Sequence, residues 1–199
     1  MTRRGTVLAA AGLVWLASLA TAGRAVWDYQ TTAGAPGEPP PRWPEGSRVP
    51  APAGGRATLL VVAHPQCPCT RATIAELGRL MPRLRDRAAA HVLVYRPAAF
   101  APGWERTEVW SAARRIPGVS VHLDLDGVEA ARFGAATSGQ VVVYDARGRR
   151  RFSGGLTTSR GHVGESVAHQ RIEAIVTGGE TADGTSRVFG CALATPQGD

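Results

Sequence analysis

The run ATLLVVAH at positions 57–64 limits the fold more than any other part of the chain. An unbroken aliphatic segment of this length, bounded by turn residues, reads as a strand buried inside a sheet. It leads directly into HPQCPCTRA, and then into Ile74, Leu77, Leu80 and Leu84 at helical spacing, with a bend expected near Pro82. A buried strand that passes straight into an amphipathic helix opens an α/β arrangement.

The alternation continues downstream. HVLVYRP (91–97) reads as a second strand, residues 104–115 as a helix, VSVHL (119–123) as a short strand, and DGVEAARFG (126–134) as a short helix closed by Gly134. QVVVYD (140–145) turns through Asp145-Ala146-Arg147-Gly148 into a strand at 149–154, and a last helix covers about 162–177. Alternating strands and helices imply parallel crossovers, while the closing hairpin adds antiparallel strands. The fold class expected for residues 57–179 is therefore α/β, a mixed sheet with helices on both faces. Residues 180–199 read as a tail, to which Val188-Phe189-Gly190-Cys191 gives something to dock.

Ahead of this domain, 19 uncharged residues lie between Arg4 and Arg24, close to the roughly 20 that span a bilayer as a helix. The cationic MTRR end favours a cytoplasmic N-terminus, with Trp27 and Tyr29 at the far headgroup level. Residues 1–29 are thus expected to be a single-pass anchor in a bacterial cytoplasmic membrane, with the domain facing the periplasm or exterior. Ala20-Thr21-Ala22 also offers a site for signal peptidase, and cleavage there would release a soluble protein. Either outcome puts the domain beyond the cytoplasm. Residues 30–56 hold seven of the 14 prolines, including Pro39-Pro40-Pro41, and read as an extended, semi-rigid spacer.

Charge argues against nucleic acid as a partner. All 23 basic residues are Arg, and residues 25–199 carry 20 of them against all 16 acids, a balance of only +4. The one dense run, Arg147-Gly-Arg149-Arg150-Arg151, falls at the hairpin turn and reads as a solvated end rather than a basic stripe.

The chemistry centres on three cysteines. Pro68 suits the first position of a helix, which makes Cys67 the N-cap residue, its sulfur close to unpaired backbone N–H groups. Those donors and the helix dipole favour a thiolate, lower its pKa and make it a nucleophile at neutral pH. Cys69 is its neighbour. Cys191 in the tail has no obvious place in an oxidising compartment unless paired or reactive, so it is expected near the Cys67-Pro68-Cys69 loop, held there by burial of Phe189 and Leu193.

The strand, cysteine motif, helix and late hairpin, over residues 57 to about 178, resemble the thioredoxin-like superfamily, especially its membrane-tethered bacterial redoxins. HPQCPCTRA, SGQVVVYD, GGLTTSRGH and VFGC look more specifically like RedB-type redox proteins. The resemblance implies a thioredoxin fold and a thiol redox role. The chain departs from the superfamily pattern in two places. Its cysteines follow Cys-x-Cys spacing, with Thr70 where the second cysteine of Cys-x-x-Cys would fall, and a bridge within so small a ring is strained and oxidising. Ser138-Gly139 replaces the cis-proline that usually precedes the hairpin, so a trans peptide and a differently shaped groove are expected.

Topology adds further candidates. If 140–145 runs antiparallel to the first strand, as in the resembling fold, Ser138 and Gly139 start at the cysteine end, and the loop 155–162 returns there. Arg160 would then stabilise a thiolate by charge, and His162 or His64 would carry protons or ligate a metal. Each has a plainer reading: His64 as the end of a strand, Arg160 and His162 as a polar helix start, His122 and His169 as surface or core residues, and the cysteine pair as an inert staple.

Taken together, these residues suggest a membrane-anchored thiol-disulfide oxidoreductase that needs no cofactor and acts on cysteine-containing exported proteins. Cys67 attacks, and Cys69 or Cys191 resolves. The principal rival is a copper-handling domain on the same fold, with Cys67, Cys69, His64 and His162 as soft and borderline ligands. A structural zinc site lacks a second close pair, and a peroxidase lacks threonine three residues before Cys67, where His64 stands.

Overall fold

The computed structural model describes residues 3–179 and 183–193. The chain divides into two compact units after Thr32. The first is helix α1, Arg3–Thr31, of 29 residues with none buried. It is long and apolar enough to cross a membrane. The hydroxyls of Ser18 and Thr21 donate to the carbonyls of Val14 and Ala17 one turn back, so these two polar groups are satisfied within the helix.

The second unit contains β1 (Ala57–Ala63), α2 (Pro68–Leu84), β2 (Ala88–Arg96), α3 (Glu108–Arg114), β3 (Val119–Leu125), α4 (Val128–Arg132), β4 (Gln140–Tyr144), β5 (Arg150–Gly155), α5 (Val167–Thr177) and β6 (Gly184–Thr185). These strands form one sheet in the order β3-β2-β1-β4-β5-β6. β1, β2 and β3 pair in parallel, β4 runs antiparallel to β1, and β5 is antiparallel to β4. β6 adds a short parallel edge to β5. The mixed sheet expected from the alternation is therefore present, with every residue of the central β1 buried.

The two faces of β1 are covered differently. Leu59, Val61 and Ala63 face α2, α3 and α5, packing with Leu77, Leu80 and Ile172 in the larger core. Each fully buried Leu, Ile or Val side chain among them contributes about 1.5–3 kcal/mol from its removal from water. On the opposite face, Leu60 meets Leu93, Phe133, Val142 and Tyr144, and α4, the only helix there among the described residues, has five residues. That is too short to cover the sheet, and the Pro-rich segment completes the cover. Val49 is buried in this cluster, and Trp43 packs edge-on against Phe133 and Tyr144 with ring centres 4.8 and 5.1 Å away.

Residues 33–56 thus do not stand off as a spacer. Their backbone is extended, as proline requires, but it is stitched to the domain along its length. Gly34 N–H donates to Val188 C=O at 2.9 Å, Glu38 N–H to Gly134 C=O at 2.8 Å, and Arg150 N–H to Pro41 C=O at 2.9 Å. Gly37 and Gly134, both at positive φ, cross so closely that a Cβ on either would overlap the other strand's carbonyl region.

Other boundaries shift for local reasons. α3 starts at Glu108 rather than 104, because Glu105 is buried and used by Arg96 and by Gly103 N–H. α5 starts at Val167 rather than 162, where Ser166 and His169 form a reciprocal cap. The hairpin turn closes on Asp145, whose carboxylate accepts the N–H groups of Arg147 and Arg149. The tail expected at 180–199 is described only over 183–193, where it docks: Val188, Phe189 and Leu193 are buried. Residues 180–182 and 194–199 lie outside the described part.

Candidate active site

The cysteine loop sits where the C-terminal end of β1 meets the N-terminus of α2. β1 is buried on both sides, and Pro68 opens the helix, so Cys67 occupies the N-cap. Thr70 N–H turns back to Cys67 C=O at 3.1 Å, which starts the helix and brings the Thr70 side chain against the Cys67 sulfur. All three cysteines are thiols in this structure.

The tail brings the third sulfur to the first. Cys191 Sγ lies 3.3 Å from Cys67 Sγ, across a sequence separation of 124 residues. Ser138 N–H donates to Cys191 C=O at 2.9 Å, and Arg160 donates to Gly190 C=O at 2.6 Å. Gly190 lies against Ser138 C=O with no room for a Cβ, which explains a glycine immediately before this cysteine.

The electrostatics separate the three thiols. Burial pushes the Cys67 thiol up, but donors aimed at its sulfur outweigh that: the Cys191 N–H, the Thr70 hydroxyl, the Cys191 thiol and the Thr70 N–H hold it at about 7. Burial raises Cys69, as do the charge of Cys67 and its hydrogen bond, with Arg160 opposing. Cys191 is raised to about 11, first by burial and then by its bond to Cys67 and the charges of Cys67 and Cys69. Negative charge therefore concentrates on Cys67.

Ser138 and Gly139 lie at the same end. The Ser138 hydroxyl stands 2.5 Å from that of Thr70 and accepts His64 N–H at 2.7 Å. Gly139, at φ 90°, donates to Val62 C=O at 2.7 Å, and Thr73 leaves no space for a side chain there. No peptide bond among the described residues is cis.

His64 is near the loop, but its Nδ1 accepts Gln66 N–H at 3.3 Å and its ring rests between Tyr95 and Trp104. Burial lowers its pKa, which favours the uncharged ring. His162 is exposed on the 156–166 loop. The four-residue ligand set Cys67, Cys69, His64 and His162 is accordingly not assembled, and among the described residues no group of three or more His, Cys, Asp or Glu side chains is arranged to hold a metal ion.

One supporting group was not anticipated. Glu76, on the buried face of α2, lies 2.9 Å from His169 Nε2 and accepts Gly164 N–H at 2.9 Å and Arg79 at 2.6 Å. It ties α2 to α5 and to the loop that carries Arg160. An acid within the apolar stripe of Leu77 and Leu80 was the available signal.

No family model matches the chain, and no curated protein matches it. Among solved structures, an uncharacterized conserved protein from Geobacillus kaustophilus is similar over 85% of this chain and 95% of its own, with a TM-score of 0.61 at 18% identity. A hypothetical protein from Sinorhizobium meliloti is similar over 85% of this chain and 99% of its own, with a TM-score of 0.60 at 17% identity. A secreted disulfide oxidoreductase of Mycobacterium tuberculosis overlaps 62% of this chain and 82% of its own, with a TM-score of 0.43 at 18% identity. The sheet order and the helices that flank it give the chain a thioredoxin-like fold.

Proposed function

We propose that the protein is a thiol-disulfide oxidoreductase of the RedB-type redoxins, anchored by α1 and acting outside the cytoplasm on cysteine-containing exported proteins. The observation that carries this reading is the pairing of an N-cap thiol with a second sulfur 3.3 Å away, inside a ring of hydrogen-bond donors. Cys67, as thiolate, attacks one sulfur of a partner disulfide; the new Cys67–partner bond forms as the partner's S–S bond breaks and its other sulfur leaves and is protonated. Cys191 then loses its proton and attacks the Cys67 sulfur, which forms the Cys67–Cys191 bridge and releases the partner's remaining thiol. Two electrons pass from the protein's two thiols to the partner's disulfide.

Arg160 supports this sequence by attracting negative charge on Cys69 and Cys191. Thr70 and Ser138 hold the loop and feed a donor to Cys67. The segments HPQCPCTRA, SGQVVVYD, GGLTTSRGH and VFGC support the RedB-type kinship. The cationic start and the apolar α1 support an exported, tethered domain. The test is exchange by the reduced full chain with a disulfide-bonded peptide. Wild type should reduce it stoichiometrically, Cys67→Ser should lose the activity by at least a hundredfold, and equal activity of the two would sink the reading.

A further inference from the structure

Cys67 has the thiol held most strongly toward its charged form, yet it is only 3% exposed, and Cys69 is 4% exposed. A partner disulfide does not reach either sulfur in this arrangement. What stands beside Cys67 is the chain's own tail, and the tail is held as an added strand would be. Thr137 and Ala192 form an antiparallel bridge. Ser138 N–H donates to Cys191 C=O at 2.9 Å, and Leu193 N–H donates to Ala136 C=O at 3.1 Å. The Leu193 side chain is buried with Val62 and Ala130.

We propose that residues 190–193 occupy the place of a partner's cysteine-bearing segment, so that Cys191 is a built-in competing substrate and the tail leaves before a partner docks. This rests on the thiol-exchange reading above. The occupant it implies is an extended polypeptide that pairs by backbone with residues 136–138. Its cysteine follows a glycine, because the position before the cysteine faces Ser138 C=O without space for a Cβ. An apolar side chain two residues after the cysteine fills the Leu193 site.

The arrangement also orders the two exchange steps. While Cys67 is a thiolate, its charge and its hydrogen bond help keep the Cys191 thiol protonated. Once Cys67 is joined to a partner, both of those contributions vanish, and Arg160 remains to favour the Cys191 thiolate as the tail returns. The partner's segment and the tail then compete for one edge. Return of the tail expels the reduced partner.

The test uses the full chain carrying Cys69→Ser and Cys191→Ser, which leaves Cys67 alone. Three probes are compared by release of thionitrobenzoate: dithiobis(nitrobenzoate), the peptide Val-Phe-Gly-Cys-Ala-Leu-Ala with thionitrobenzoate on its cysteine, and the same peptide with Ala in place of Gly. The Gly-Cys peptide should react about tenfold faster than the Ala-Cys peptide. Adding Gly190→Ala, or Phe189→Ser as the second variant, loosens the tail and should speed the Gly-Cys peptide about tenfold further, with thermal unfolding confirming a folded domain. Equal rates for the two peptides, or no gain from loosening a folded chain, would overturn the tail's role while the small disulfide still reports exchange at Cys67. Failure of the small disulfide in every folded variant would instead remove the thiol-exchange reading.

Discussion

Thr70 Oγ1 and Ser138 Oγ stand 2.5 Å apart in the interior, joining the first turn of α2 to the turn that enters β4. Because Ser138 also accepts His64 N–H, the end of β1, the start of α2 and the β4 turn are fixed as one corner around Cys67. The Thr70 hydroxyl favours negative charge on the Cys67 sulfur. Thr70→Val keeps the shape and removes the hydroxyl. The Cys67 thiol should rise by about one pH unit, measured from the pH dependence of its alkylation, with a stability loss of about 1–2 kcal/mol. An unchanged thiol would show that the hydroxyl does not act on the sulfur.

Oxidation should join Cys67 to Cys191 and leave Cys69 as a thiol, because the first two sulfurs already lie 3.3 Å apart. A bridge between Cys67 and Cys69 would close a small, strained ring. Non-reducing peptide mapping decides between them. Recovery of the Cys67–Cys69 bridge alone, with Cys191 open to alkylation, would refute this connectivity.

Trp43 covers the sheet face that α4 leaves open, resting on Phe133 and Tyr144. Trp43→Ala should lower the unfolding free energy of the domain by about 2–3 kcal/mol, through lost apolar contact and a partly filled hole. A detached spacer would tolerate the change with no shift in melting temperature, which is the result that would contradict the packing.

His91 and His122 share a hydrogen bond of 2.9 Å between β2 and β3. Burial and the neighbouring His122 depress His91 to about 4, and burial lowers His122 as well. Folded-state values below the unfolded value of about 6.5 mean that the unfolded chain binds more protons between these pH limits. The pair's contribution is therefore intact above about pH 6.5 and declines as pH falls toward 4. Melting temperature measured over that window should drop less in a His91→Leu, His122→Leu variant than in wild type, and identical profiles would contradict the assignment.

The elements that place the site were legible because each follows from local pattern. The aliphatic run of β1, the 3.6-residue spacing of α2 and the helix-favouring Pro68 together put Cys67 at a helix N-terminus. Cys191 was legible through chemistry, since a solitary thiol beside buried Phe189 and Leu193 needs a partner. The docking of residues 33–56 was not, because Trp43 and Val49 are isolated apolar residues among prolines and carry no period. Nor were the partners of Glu76, His91 and His122. Those depend on which helix or strand lies opposite, and such pairing is a tertiary property that no short window of sequence records. The exposed position of His162 has the same origin, since the cap at Ser166 ends the loop later than helix periodicity suggested.

The proposed role of Cys67 as the exchanging nucleophile is tested most directly by residue-resolved alkylation of the reduced full chain from pH 5 to pH 10, with each cysteine followed by the mass of its own peptide. The Cys67 rate should rise with a midpoint near 7, while Cys69 and Cys191 titrate at higher pH. A Cys67 midpoint above about 9, or a lower midpoint at Cys69 or Cys191, would contradict the assignment of Cys67 as the nucleophile.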